Sequence, residues 1–286
     1  LQQTYTCNDT TERNLQMFWD THMHCNFSGD CDSTPQSMIE AAITKGLSGI
    51  CFTDHMDYDY PTDPHHPTVF EFDPDEYDSV IHTLQRQYDG RLPILYGIEL
   101  GLQPHLAKRH KKLLQDYSFD FVIGSSHVVD GKDPYYASYY EGRSEHEAYE
   151  QYFLSILENI RTFQDFDVYG HLDYVVRYGP NKNTFYSYQK YADIIDEILK
   201  QLIDLGKGIE VNTAAFKYGL GHPHPCEDIL KRYRELGGEI LTLGADAHRP
   251  EHIAYDFDRL PHLLKECGFS YYTVFKRRKA EFLSLS

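Results

Sequence analysis

Residues 15–24 read LQMFWDTHMH, an apolar run that ends in two histidines one residue apart. Read as a strand, this stretch alternates its side chains between two faces, so His22 and His24 point the same way. Paired imidazoles on one face of a strand end are either a metal clamp or a coincidence, and the rest of the chain decides. Six further short apolar runs follow: GICFT (49–53), LPILYGI (92–98), FVIG (121–124), VYG (168–170), GIEV (208–211) and ILTL (240–243). Helix-like stretches lie between them. STPQSMIEAAITKG places Ser33 or Thr34 as a cap with Pro35 early in the helix and Gly46 at its end. DPDEYDSVIHTLQRQY repeats the device with Asp73 before Pro74. SEHEAYEQYFLSILENIRTF, YADIIDEILKQLIDLG and CEDILKRYRELGG carry apolar residues at three- and four-residue steps. Repeated strand–helix alternation predicts a parallel α/β architecture. With no GxGxxG and no GxxxxGK sequence, a nucleotide-binding open sheet is unsupported. The better fit is a distorted (β/α)7 TIM-like barrel, whose chemistry would sit at the C-terminal ends of the strands.

The residues just beyond each strand are therefore the test. The first strand runs into His22, His24 and then Asp30, the second into Asp54 and His55, and the third ends in GIELG with Glu99 at its tip. The fourth leads to His127 in GSSH, the fifth to His171 and Asp173 in GHLD, and the last to Asp246 and His248 in GADAH. Taken singly, each has an ordinary explanation: a hydrogen-bonded histidine, a helix cap, a solvated carboxylate. Their recurrence at successive strand ends favours a metal centre, because imidazole and carboxylate are the ligands that zinc, iron and manganese share. The nine candidates His22, His24, Asp30, His55, Glu99, His127, His171, Asp246 and His248 are too many for one tetrahedral ion. They suit three divalent ions if one carboxylate bridges.

Charge points the same way. The formal net charge of −17 argues against binding a nucleic-acid backbone, which relies on Lys and Arg. It also repels a phosphorylated metabolite unless the site carries its own positive charge, as clustered metal ions would. No run of 18 apolar residues offers a membrane span, and the polar start LQQTYTCNDTTERN lacks the pattern of a secretion signal. Six cysteines without a CxxC pair fit a reducing, cytoplasmic setting.

The motifs HMHCNFSGD, ICFTDH, YGIELG, GSSHVVDG, GHLDYVVRYG, EVNTAAFKYG and GADAH resemble, in order, those of the polymerase and histidinol phosphatase (PHP) superfamily, and most closely its bacterial phosphatases. The resemblance covers residues 15 to 275. It treats 1–286 as a single barrel domain with an N-terminal extension (1–14) and a C-terminal tail (276–286). It implies a trinuclear site: His22, His24, Glu99 and Asp246 around the first metal, Glu99 bridging to His127 and His171 around the second, and Asp30, His55 and His248 around the third. Asp32 is a rival to Asp30, since both are short carboxylates of one loop. Arg177 matches a family arginine that holds the substrate phosphate, a role its planar fork suits. Lys217, His222 and Tyr178 are candidate substrate contacts, with a solvated loop lysine and turn histidines as the plain alternatives. Asp20 and Asp173 are read as carboxylates that accept a ligand histidine's other N–H; Asp54 either serves His55 in the same way or caps the following turn.

The implied reaction is hydrolysis of a small phosphate monoester, L-histidinol phosphate, to L-histidinol and inorganic phosphate, with Glu99, Asp246 and Arg177 in the catalytic machinery. The aromatic and acidic segment 58–74 would form either a lid or a solvated crossover, and the tyrosines of 133–147 invite the same two readings. Competing classes are an amidohydrolase-like C–N or lactone hydrolase, a nuclease of the same superfamily, and a non-catalytic metal-binding protein. Glu99 where such hydrolases often use a carboxylated lysine, the acidic charge, and Arg177 speak against these three in turn.

Overall fold

The structure, a computed structural model, describes residues 18–61 and 69–285. The chain begins with β1 (Trp19–Met23) and α1 (Pro35–Thr44), whose first turn is capped by the Thr34 hydroxyl accepting the Ser37 amide at 3.2 Å. β2 (Gly49–Phe52) and the two-residue β3 (His55–Met56) follow. Next come α2 (Pro74–Gln87), capped by Asp73 on the amides of Asp75 and Glu76, β4 (Ile94–Gly101), α3 (Ala107–Asp116) and β5 (Phe121–Ser125). α4 (Glu145–Thr162) opens with a capping box between Ser144 and Glu147. β6 (Val168–Tyr169), α5 (Ala192–Asp204), β7 (Gly208–Asn212), the single turn α6 (Ala214–Lys217) and α7 (Glu227–Glu235) continue the alternation. β8 (Leu241–Gly244), α8 (Leu260–Glu266), β9 (Tyr271–Lys276) and β10 (Lys279–Ser284) complete it.

Seven strands pair in parallel in the order β1-β2-β4-β5-β6-β7-β8, and β3 extends the sheet by pairing with β4. Their residues are buried throughout, β4 (ILYGIELG) included, as strands covered on both faces must be. Helices pack outside through apolar stripes such as Ile195, Ile198, Leu199 and Leu202 of α5. The Thr21 hydroxyl of β1 donates to the Leu243 carbonyl of β8 at 2.9 Å, and backbone-to-backbone bonds between these outer strands lie at their C-terminal ends. There the His24 amide donates to the Ala247 carbonyl at 2.9 Å, and the Asp246 amide to the His22 carbonyl at 2.8 Å. At the opposite end β9 fills the seam: Tyr272 packs edge-on against Phe18, and the Thr273 hydroxyl accepts the Leu241 amide at 3.3 Å. The result is the expected barrel, distorted because its closing backbone bonds are confined to the mouth.

Two departures from the sequence reading concern this frame. Of the 276–286 tail, the described residues 276–285 do not trail: β10 pairs antiparallel with β9, and Arg278 at the hairpin turn donates to Asp167 Oδ2 at 2.6 Å. The helix α3 went unexpected because its sequence, AKRHKKLLQD, buries only His110 and Leu113 and has little apolar periodicity to read. The N-terminal extension lies outside the described residues, as do residues 62–68 of the 58–74 segment.

Candidate metal centre

Each strand end delivers its side chain to one place. His22 is the fourth residue of β1 and His24 lies just past it, and their Nε2 atoms stand 3.1 Å apart, as strand alternation requires. β3 sets His55 directly beside Glu99 of β4, with Nδ1 3.0 Å from Oε2. That extra pairing carries β4 on to Gly101, so Glu99 lies within the strand, not at its tip. Glu99 Oε2 faces His22 (3.2 Å), His24 (3.6 Å) and His55. Its Oε1 faces His171 (3.0 Å) and His127 (3.3 Å) and accepts the Ser125 hydroxyl at 2.7 Å. One carboxylate thus addresses two separate sets of imidazoles. Asp246 Oδ1 stands 3.3 Å from His24 and 3.6 Å from His248. Asp30 and Asp32 are both exposed, but it is Asp30 whose Oδ2 stands 3.1 Å from His248 and 4.0 Å from His55.

These donors fit divalent ions on their own geometry. Ligand atoms about 2.0–2.1 Å from a tetrahedral ion stand roughly 3.3 Å from one another, the spacing found throughout this cluster. His22 donates through Nδ1 to Glu210 and His127 through Nδ1 to Asp57, so their Nε2 atoms present lone pairs inward. The Nε2 atoms of His22 and His24, 3.1 Å apart, need a proton or a metal ion between them. His55 Nδ1 and His248 Nε2 are buried and close to carboxylates yet misaligned for hydrogen bonds, as expected of ligand atoms. Four sets gather ligand atoms within 4.8 Å: His22–His24–Glu99, Glu99–His127–His171, His24–His55–His248 and His55–Asp57–His127.

The groups that orient these ligands differ from those expected. Glu210 of β7 accepts His22 Nδ1–H at 2.5 Å through one oxygen and the His171 amide at 2.9 Å through the other. Gly244 leaves room for it, since a Cβ there would collide with Glu210 Oε1. Asp57 accepts His127 Nδ1–H at 2.7 Å. Asp54 serves His24 rather than His55, through the Ser28 hydroxyl, which accepts from His24 Nδ1 at 3.0 Å and donates to Asp54 at 2.8 Å. Asp20 holds backbone amides of Ala245 and Ala254 instead, and Asp173 accepts His224 Nδ1–H and the Cys226 amide. Neither touches a ligand imidazole. The usable signals were a carboxylate inside the apolar run GIEV, and Asp57 two residues after His55.

Electrostatics follow from the crowding. Burial raises the Glu99 carboxyl, but His22, His127 and His55 outweigh it and hold it well below the usual carboxylate range. Asp246 is likewise held low against burial, by His22, His24, His248 and Arg177. Burial, with His248 and His55 beside it, pushes His24 well below its ordinary value. Burial also opposes charge on His55, yet Glu99, Asp30 and Asp57 prevail and raise it to about 9. A carboxylate-rich cage that favours protons on imidazole favours metal cations for the same reason.

The cluster floors a cavity of about 990 Å³ that Arg177, Tyr178 and Lys217 also line. The Arg177 guanidinium is nearly buried among the rings of Tyr174, Tyr178 and Tyr218, 4.4–4.9 Å from their centroids. Its Nη1 is 3.6 Å from Asp246 Oδ2, and its Nε is without a partner. Lys217 Nζ reaches the Ala245 carbonyl at 3.4 Å. His222 is not in the lining: its Nδ1 bonds the Pro223 carbonyl at 2.7 Å, so it is a turn histidine.

Fold and cage together define a parallel barrel with a histidine–carboxylate cage suited to metal ions at its mouth. The chain belongs to the PHP family, whose PHP domain model matches residues 20–214. It is similar to the probable histidinol-phosphatase of Clostridium acetobutylicum, 32% identical over 88% of this chain and 94% of the relative. The histidinol phosphate phosphatase of Lactococcus lactis subsp. lactis, solved with zinc, L-histidinol and phosphate, superposes with a TM-score of 0.85 at 30% identity, covering 92% of this chain and 98% of that one. A putative histidinol phosphatase of Listeria monocytogenes, 17% identical over 84% of this chain and 98% of its own, shares the fold with a TM-score of 0.71.

Proposed function

We propose that this chain is a phosphoric monoester hydrolase that converts L-histidinol phosphate to L-histidinol and phosphate. The observation that carries the reading is the placement of a buried, ring-stacked guanidinium, Arg177, at the wall of the cavity floored by the histidine–carboxylate cluster. The relatives of about 30% identity, which align over nearly the whole chain, point to the same substrate.

In this reading His22, His24, Glu99 and Asp246 hold one ion, Glu99, His127 and His171 a second, and Asp30, His55 and His248 a third, the ions being zinc, iron or manganese. Such ions supply Lewis acidity toward phosphoryl oxygens and acidify water. The protein's own part is orientation and charge. Arg177 offers parallel N–H groups to two phosphate oxygens, and three tyrosine rings keep its plane from turning. Lys217, carried by α6, adds a cation whose ordinary value burial lowers. Glu210 and Asp57 fix the rings of His22 and His127 so that their lone pairs face inward. The free thiols of Cys25, Cys31, Cys51, Cys226 and Cys267 accord with a cytoplasmic enzyme.

Phosphate release after reconstitution with zinc, iron or manganese, compared across monoesters, amides and lactones, tests the reading. Rapid turnover of L-histidinol phosphate is expected. Cleavage of amides or lactones with every monoester left intact overturns it, and atomic spectroscopy that finds fewer than three ions per active chain overturns the trinuclear assignment.

A further inference from the structure

The cavity has a second charged feature, opposite in sign to Arg177 and Lys217. Asp133, in the loop after β5, lines it with only 6% of its surface exposed. Its Oδ2 accepts the Tyr60 hydroxyl at 2.5 Å and its Oδ1 the Tyr135 amide at 2.7 Å, so the carboxylate is held rigidly. No Lys or Arg pairs with it among the described residues. The adjacent Lys132 donates instead to the Ser138 carbonyl at 3.0 Å. Burial outweighs the hydrogen bonds from Tyr60 and Tyr135 and pushes the Asp133 carboxyl up. Such a group is costly unless a positive charge arrives to meet it. Its surroundings suit one: Tyr60 packs edge-on against Phe70 at 4.5 Å, and Tyr174 also lines the cavity. A carboxylate among aromatic rings is suited to an organic cation.

We propose that Asp133, oriented by Tyr60, receives the positively charged nitrogen of the substrate while Arg177 receives its phosphate. The inference rests on the phosphatase reading above and deepens it: the enzyme selects monoesters that carry a cation, whether ammonium or imidazolium. Asp57 does not take this part, since its Oδ2 accepts His127 Nδ1–H and its unpartnered Oδ1 is buried out of reach of the cavity. Asp133 is thus a specificity residue, and Tyr60 a positioning residue that acts through it.

The test is the ratio of kcat/KM for L-histidinol phosphate to that for p-nitrophenyl phosphate, measured on metal-loaded enzyme. Asp133→Asn removes one charge-assisted contact and lowers this ratio roughly 10- to 100-fold, mainly through KM. Tyr60→Phe lowers it in the same direction by less, and decides the matter should Asp133→Asn fail to fold by circular dichroism. Two truncated esters separate the sources of charge: 2-aminopropyl phosphate keeps the ammonium alone, and 3-(imidazol-4-yl)propyl phosphate the imidazole alone. The ester that shares the loss carries the cation that Asp133 meets. A ratio unchanged within threefold overturns the proposal, whether both substrates slow together or neither does. A wild-type enzyme that does not hydrolyse L-histidinol phosphate overturns the phosphatase reading instead, and the ratio for 2-aminopropyl over p-nitrophenyl phosphate then judges Asp133.

Discussion

Replacing Arg177 by alanine tests the phosphate pole directly. The guanidinium is 7% exposed, wedged among three tyrosine rings, with Nη1 3.6 Å from Asp246 Oδ2 and Nε without a partner. A fork held this way can make two charge-assisted bonds to phosphate, each worth about 1.5–3 kcal/mol. Losing both costs about 3–6 kcal/mol, or roughly 10²- to 10⁴-fold in kcat/KM. Arg177→Lys keeps the charge but loses the second bond and the planar stacking, a loss of roughly 10- to 100-fold. The assay is steady-state phosphate release, with metal content measured on the same samples because Asp246 adjoins the substituted side chain. Kinetics of Arg177→Ala within threefold of wild type, at full metal content, would refute the assignment.

Three other expectations concern the cage and its supports. Glu210→Gln removes the charge that accepts His22 Nδ1–H at 2.5 Å, so metal affinity or turnover falls roughly 10- to 100-fold, read by competitive metal titration. Gly244→Ala drives a Cβ into Glu210 Oε1 and His22 Cβ, and chemical denaturation should show a loss of about 1–3 kcal/mol. His224 is buried, and desolvation lowers its ordinary value despite Asp173 beside it. A histidine depressed in the folded state contributes stability that is present above about pH 6.5 and lost as pH falls through its folded value. Melting temperature should therefore decline on the acid side of about pH 6.5, and His224→Gln should flatten the upper part of that decline; an unchanged slope would count against it.

The metal cluster was largely legible because its residues follow strands, and strand alternation is a local rule. His22 and His24 share a face because side chains two residues apart on a strand point the same way. Asp30 and Asp32 could not be separated that way. They occupy a loop, where no period applies, and it is the loop's path toward His248 that brings Asp30 to 3.1 Å. His222 was misplaced for a related cause: proximity in sequence to Lys217 says nothing about a turn that aims its ring at Pro223. Asp20 and Asp173 lie beside cluster histidines in the chain but spend their oxygens on backbone amides and on His224.

By itself the sequence determined the architecture and the chemistry of the site, since both are written in short-range patterns: short continuous apolar runs, helical stretches with their caps, and ligand types at strand ends. Only the tertiary structure decided which groups orient those ligands. Glu210 meets His22 across 188 residues, and the C-terminal hairpin clips to Asp167 across 111. Such pairings depend on how a twisted sheet closes, and closure is a property of all the strands together that no local window contains.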